Sequence, residues 1–392
     1  MPLHLEPRLA AIVGQQPYPR FSEGEIDRRR GALLEAMQKN QVDHLVVCGE
    51  QRAGSGVVWL TGWPATIEAY VIVSPSEHNL MYMEWFNHVP LARRIARNTE
   101  VKWGEHGGID KVIAELKRRG AQRVGFLGPL AYRKCKMLES AFATFVDMNR
   151  EYVELRLIKS DEEIDWLRIG AAFSDAAIEA LREELRPGAT ERELWDITER
   201  AYTRHGGSTY IHYFGVTAMN DPDCRVPRQF PENRTVAAGD VVFAEISGSF
   251  WDYPGQILRT FTVAADPTPL YRELYATAEA AFDAIAAVLR PGTTMEQIVD
   301  VSGVIEKAGF TTCDDLVHGF GGGYFPPVLG SKSRPAGPLP AMTLRAGMTI
   351  VVQPNVITTD QLAGVQVGEL VHITAHGFER LHKAPRALFR VA

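Results

Sequence analysis

Apolar residues along the first 150 positions fall into short blocks with two alternating periods. Ser22 and Glu25 make a capping-box pair, and Ile26, Leu33 and Met37 then share one face of a helix. Residues 44–48 form a compact apolar run that predicts a strand, and the signal returns at 69–73, 80–83 and 123–127. Trp59-Leu60-Thr61-Gly62 is expected to close a loop. Ile109, Val112, Ile113 and Leu116 mark another amphipathic helix, stopped by Arg118-Arg119-Gly120. Helices alternating with strands predict a small α/β domain over residues 1–155.

From about residue 156 the texture changes. Ser160 and Glu163 form a second capping box before a long helix through Ile164, Leu167, Ala171, Ile178 and Leu181. Leu185-Arg186-Pro187-Gly188-Ala189-Thr190 ends it, and Thr190 with Glu193 caps the next helix. The unit recurs: an Ala-rich helix at 276–289, Leu289-Arg290-Pro291-Gly292-Thr293-Thr294, and a further helix at 295–307. Each helix pair leads to a related strand entry, Ala238-Gly239-Asp240 before 241–247 and Ala346-Gly347-Met348 before 349–354. Residues 156–392 therefore read as an internally duplicated α+β domain. A cleft is expected where its halves meet, and the pairing sets Glu245 opposite Gln353.

Length and composition narrow the partners. A chain of 392 residues has room for two domains, and 45% hydrophobic with 23% charged residues is ordinary globular usage. Lys and Arg number 42 against 48 Asp and Glu, and the net charge of −6 argues against nucleic acid or an anionic membrane surface as partner. No apolar run approaches the ~20 residues of a membrane helix, and no basic start followed by an apolar core marks a secretion signal. Cys48, Cys135, Cys224 and Cys313 stand alone, without a CxxC pair. A reduced, cytoplasmic protein is expected.

Glu245 is the most informative side chain, because residues 241–247 are otherwise an apolar strand. Burying a carboxylate there is costly unless it is paired. It is either a structural partner of an arginine such as Arg259 or a general base or nucleophile. His318 opens His318-Gly319-Phe320-Gly321-Gly322-Gly323-Tyr324, where glycines permit close approach of a ligand. The run has neither GKS/T nor a GxGxxG, so it is no phosphate loop. Trp251 through Gln256 reads as a hairpin tip, with Tyr253, Gln256 and Arg259 around the returning strand. Arg225 and Arg228 are candidates for an anionic group.

These residues together resemble a known family. The stretch from Arg156 to Ile164, Ala238-Gly239-Asp240, Arg259-Thr260-Phe261, His318-Gly319-Phe320-Gly321, and Ala346-Gly347-Met348 with Pro354 look like the creatinase/prolidase/methionine aminopeptidase, or pita-bread, family. Trp59-Leu60-Thr61-Gly62 looks like part of its creatinase-type N-terminal domain. The resemblance implies an α/β creatinase-type domain followed by a pita-bread domain with a pseudo-twofold duplication.

Metal-dependent members grip two divalent ions with two carboxylates 11 residues apart, a histidine and two later glutamates. Carried over by position, these fall on Glu245, Gln256, His318, Gln353 and Gly368, with Glu369 adjacent to the last. Amides and a glycine do not supply the charge that two dications need, so no metal and no cofactor is expected. Phe243-Ala244-Glu245-Ile246-Ser247-Gly248 is similar to the glutamate-bearing strand of metal-independent ectoine hydrolases. The histidine that creatinases and ectoine hydrolases carry before the Gly-Asp strand is replaced by Pro227-Arg228-Gln229-Phe230. Arg228 keeps its charge near neutral pH and would hold a carboxylate or oxyanion.

The resemblance thus implies a metal-independent hydrolase of a C–N bond (an amidine, a cyclic amidine or an amide) in a small polar molecule. Glu245 would be base or nucleophile and His318 a proton relay, with Arg228, Tyr253, Gln256, Arg259, Tyr324 and Gln353 contacting substrate. A lyase using Glu245 to abstract a proton, and a non-catalytic binding protein, are the alternatives. Creatinase-type members are dimers, so a homodimer is expected. Glu68 with Trp63 or Tyr70 would then reach a cationic group in the partner's site.

Overall fold

The computed structural model describes residues 3–50 and 53–392. The chain divides into two compact units, Gly14–Arg156 and Leu157–Ala392, with the N-terminal segment through Val13 belonging to the second. That assignment differs from a first domain starting at residue 1. The segment is joined to that unit by polar contacts, Arg8 donating to Asp165 at 2.7 Å and Lys383 to Glu6 at 3.1 Å, and its Leu9 is buried.

The smaller unit is built on β1 (His44–Gly49), β2 (Ala69–Val73), β3 (Asn79–Met83), β4 (Thr99–Trp103), β5 (Arg123–Leu127) and β6 (Thr144–Asp147). They form one six-stranded sheet in the order β4-β3-β2-β1-β5-β6. Hydrophobic clusters cover both faces, one of them including Met37, Val47, Trp59 and Trp63. The helices Glu23–Lys39 and Gly108–Arg118 match the periodic segments, and the Ser22 side chain accepts from the Glu25 N–H. Trp59-Leu60-Thr61 is not a loop but the last turn of the helix Gly56–Thr61, closed by Gly62 at φ 78°. Edge strands β4 and β6 escape the apolar pattern because most of their side chains are only partly covered or exposed.

The larger unit carries β7 (Ser208–Ala218), β8 (Asp240–Phe250), β9 (Tyr253–Val263), β10 (Thr311–Thr312), β11 (Val317–Phe320), β12 (Tyr324–Leu329), β13 (Thr349–Val352), β14 (Val356–Ile357) and β15 (Gly368–Ile373). Seven of these run in the order β12-β11-β13-β15-β9-β8-β7, and β10 pairs with β14. The duplication is explicit in its helices. α1 (Asp161–Glu184) and α2 (Glu191–Arg200) flank the first Arg-Pro-Gly turn, and α3 (Pro269–Ala286) and α4 (Met295–Val301) flank the second. Gly188 N–H bonds to the Val236 carbonyl and Gly292 N–H to that of Leu344, each at 2.8 Å. Thr190 and Thr294 each close a capping box, with Glu193 and Gln297. The helix expected over 295–307 is interrupted at Ser302-Gly303, where glycine is a weak helix former. Among the described residues no helix is long and apolar enough to cross a membrane.

α1 lies against one face of β8 and β9 at a contact with no room for side chains. A Cβ on Gly170 would fall 2.2 Å from the Tyr253 carbonyl oxygen, and one on Gly255 2.3 Å from Ala171 Cα. Ser174 strengthens the seam by accepting from the Gly248 N–H at 2.8 Å. Gly170→Ala and Gly255→Ala are therefore each expected to destabilise the protein by at least about 1–3 kcal/mol, the usual cost of overpacking. Urea denaturation measures it. Either variant within about 0.5 kcal/mol of wild type would mean that the helix is not held this close.

Candidate active site

Alternation along the strands decides which side chains meet. Glu245 is opposite Leu258, Leu258 is opposite Gly368, and His318 is opposite Val351 in β13. With side chains alternating between faces, Glu245, Gln256, His318, Gln353 and position 368 share one face, here the front. Tyr253, Arg259 and Glu369 lie on the back, the face against which α1 packs.

On the front, Gln256 Nε2 donates to Glu245 Oε1 at 2.9 Å and to Gln353 Oε1 at 3.1 Å. Gln256 and Gln353 are buried, while Glu245 stays half-buried. His318 is buried and stacks on Tyr324, ring centroids 4.3 Å apart. Its Nδ1 lies 3.3 Å from the Gly319 carbonyl oxygen, to which it can donate as the neutral tautomer. Tyr213 stands opposite Glu245 on β7.

Charge states follow from this neutral packing. Burial, reinforced by the Asp314 and Asp315 carboxylates, pushes Glu245 up to about 8. Burial likewise raises Asp314 to about 7 against the opposing hydrogen bond from Asn355. Burial holds His318 down to about 4, so its imidazole is neutral at physiological pH.

Several expected substrate contacts are engaged elsewhere. Arg259 is fully buried on the back face, where it bonds to Glu369 at 2.7 Å and to the carbonyls of Leu258, Gly368, Ala384 and Pro385. It is a structural residue, and its carboxylate partner is Glu369 rather than Glu245. Tyr253, also on the back, donates to Glu163 at 2.8 Å. Arg228 is tied to Glu191 at 3.3 Å and Glu232 at 2.9 Å. Trp63 is 4% exposed within the smaller unit's core, and Glu68 forms an ion pair with Lys134. Tyr324 does lie beside His318 and is half exposed.

Asp314 and Asp315 were not legible as site residues, since two aspartates in a polar turn carry no motif. Asp314 accepts from Asn355 Nδ2 at 3.1 Å, and Asp315 accepts from the Tyr324 hydroxyl. Asn355 is in turn fixed through its N–H to the Gln353 carbonyl at 2.7 Å.

The front face is a poor match to a pair of divalent ions. Its amides are bonded to each other and to Glu245. A Cβ at position 368 would lie 2.6 Å from the Val352 carbonyl oxygen and 2.8 Å from Gln353 Cβ, so the strand fills the space that a side chain there would need. Glu369 is held behind the sheet by Arg259 and Arg380. Among the described residues no three His, Cys, Asp or Glu side chains are grouped to hold a metal ion.

Known proteins resemble this chain along most of its length. The model of metallopeptidase family M24 matches residues 165–375, and that of the creatinase/prolidase N-terminal domain matches residues 29–158. The Xaa-Pro dipeptidase of Pyrococcus furiosus is 23% identical, covering 91% of this chain and 98% of its own. The Xaa-Pro aminopeptidase of Escherichia coli is 26% identical over 73% of this chain and 72% of its own. The crystal structure of the prolidase from Pyrococcus horikoshii OT3 superposes with a TM-score of 0.78 at 21% identity, covering 92% of this chain and 99% of that one. The two-domain pita-bread architecture is thereby established. The expected function, a metal-independent hydrolase of an amidine, a cyclic amidine or an amide with lyase and binding-protein alternatives, is corrected: these relatives are peptidases in a metallopeptidase family, which supports the amide bond alone and overturns the rest.

Glu369 gives a test of the back face. Burial raises its pKa, but the Arg380 hydrogen bond and the charges of Arg259 and Arg380 outweigh that and hold it down to about 2. Glu369→Gln leaves Arg259 buried without its counter-charge and is expected to lower stability by about 3–5 kcal/mol at pH 7. Because the folded pKa is depressed, this stabilisation is full above the ordinary carboxylate value and is lost as pH falls toward about 2. Urea melts of wild type and variant should converge across that window. A gap that persisted unchanged to pH 3 would place its source elsewhere.

Proposed function

The chain belongs to metallopeptidase family M24, and from that premise we propose that it hydrolyses an amide C–N bond in a small peptide-like substrate of the Xaa-Pro kind, with Glu245 handling the proton. The relatives named above support the bond type. The observation that carries the residue assignment is Glu245 itself: a half-buried carboxyl oriented by a neutral amide, with no cation among the described residues bonded to it and a pKa raised to about 8.

A carboxyl with that affinity exchanges its proton near physiological pH. As carboxylate it takes a proton from the water that attacks the amide carbon. As carboxylic acid it returns that proton to the departing amine, so amide and water become acid and amine. Gln256 fixes the attacking geometry through its bond to Glu245 Oε1. Neutral His318 is oriented by its Nδ1 contact to the Gly319 carbonyl and by a hydrogen bond with the Gln353 side chain. The family's name implies a metal, but one carboxylate, one imidazole and two mutually bonded amides do not fit a two-ion centre, and no step here depends on one.

The direct test is release of free proline from a panel of Xaa-Pro dipeptides, assayed both without and with added Mn²⁺, Co²⁺ or Zn²⁺. Cleavage is expected in the panel, and no release under any of these conditions would overturn the reading. Glu245→Gln is expected to lose about 10²–10⁴ in rate. Wild-type kcat/KM should rise with pH through about 8, as Glu245 ionises, and the variant should lack that limb. Stability gives the control. Folding raises this pKa, so wild type loses stability as pH climbs from the ordinary value through about 8. The neutral variant should melt no lower at pH 7, and higher above pH 8.

A further inference from the structure

Two aspartates adjoin the proposed site, neither of them in an ion pair among the described residues. Asp314 and Asp315 sit in the turn between β10 and β11, just ahead of His318. Asp314 is tethered through Asn355 to Gln353, and Asp315 through Tyr324 to the His318 ring. Both lie close enough to Glu245 for their charges to raise its proton affinity. Among the described residues no Lys, Arg or His forms an ion pair with any of the three. The neighbouring cation, Arg334, is directed to Cys313 Sγ at 3.5 Å.

Independent features mark the patch as a binding surface. Ser247, two residues along β8 from Glu245, is wholly buried, and its hydroxyl has no hydrogen-bond partner. Gln366, beside Thr260 on the same sheet, is wholly buried with both amide atoms unpartnered. Buried polar atoms are almost always satisfied, so these orphans call for a polar occupant. An aromatic ring borders the acids: Tyr324, whose hydroxyl donates to Asp315, is 50% exposed. Carboxylates beside exposed aromatic faces are the chemistry that receives an organic cation.

We infer that Asp314 and Asp315 form a subsite for a positively charged ammonium group of the substrate, such as the free α-amine of a dipeptide. This rests on the hydrolase reading for its orientation, since the amine must sit beside a scissile bond facing Glu245. An anionic group here would meet three acids. A neutral one would leave both aspartates without an ion-pair partner.

The test separates binding from turnover. Calorimetry on Glu245→Gln at pH 7 compares alanyl-prolinamide with its isostere in which a hydroxyl replaces the amine. The amine compound is expected to bind about ten- to a hundredfold tighter, the worth of a charge-assisted hydrogen bond, and the preference should shrink with added salt. Asp314→Asn with Asp315→Asn should abolish the preference. In the otherwise wild-type enzyme the same pair should raise KM more than it lowers kcat. Equal affinities, a preference that survives in the double variant, or no binding of either compound would overturn the subsite. Should the double variant fail to fold, the preference and its salt dependence in Glu245→Gln decide alone. Selective binding of the amine by a wild-type protein that releases no product would overturn the hydrolase reading and leave the subsite standing.

Discussion

Gln256 uses both hydrogens of its amide on the front of one sheet, one on Glu245 and the other on Gln353. Those partners come from the two halves of the duplicated unit, so a single neutral side chain joins them at the candidate site. An amide can hold a carboxyl group in place without neutralising it. A lysine or arginine at the same position would fix Glu245 as a permanent anion, and an acid would repel it. The amide leaves the proton on Glu245 exchangeable, and the rest of the site is arranged around that neutrality: His318 is uncharged, Gln353 is an amide, and position 368 has no side chain.

The ion-paired charges of this region lie on the other side of the same strands. Arg259 and Glu369 are each next in sequence to a front-facing position, Leu258 and Gly368, yet the pleat turns them toward the back. There every N–H of the Arg259 guanidinium finds an acceptor. A register slip of one residue in β9 would turn Arg259 to the front and Gln256 to the back. The close seam between α1 and the strands, set by Gly170 and Gly255, resists such a slip because only that register puts glycine where backbone meets backbone.

Much of this was legible in the chain. The repeated Arg-Pro-Gly turns gave away the duplication because each needs a glycine at positive φ, near 95° at Gly188 and 91° at Gly292. Capping pairs located helix starts to within a residue, since a Ser or Thr side chain satisfies an otherwise orphaned N–H. The juxtaposition of Glu245, Gln256 and Gln353 could be anticipated from the duplication together with the hairpin. Arg259 and Tyr253 were misread because proximity in sequence to Gln256 says nothing about face until the register is known. Asp314 and Asp315 were invisible for another reason: a turn tolerates aspartate anywhere, and only the fold reveals that this turn abuts a carboxyl group sixty-odd positions earlier in the chain.

Glu245 and Glu369 form a controlled comparison within one sheet. Both are carboxyls in a desolvated setting, yet one is raised to about 8 and the other held down to about 2. Burial pushes each the same way, so the difference comes from what stands within hydrogen-bonding distance. Glu369 has two guanidinium groups and stays ionised throughout the range in which proteins work. That suits a structural brace and disqualifies it as a proton donor. Glu245 has an amide and two acidic neighbours, and its ionisation becomes sensitive to whatever enters the site. A cationic group arriving beside Asp314 and Asp315 would offset their field at Glu245 and lower its proton affinity. Binding a substrate of that charge would then shift Glu245 toward the ionised form that activates water, coupling occupancy of the subsite to readiness of the base.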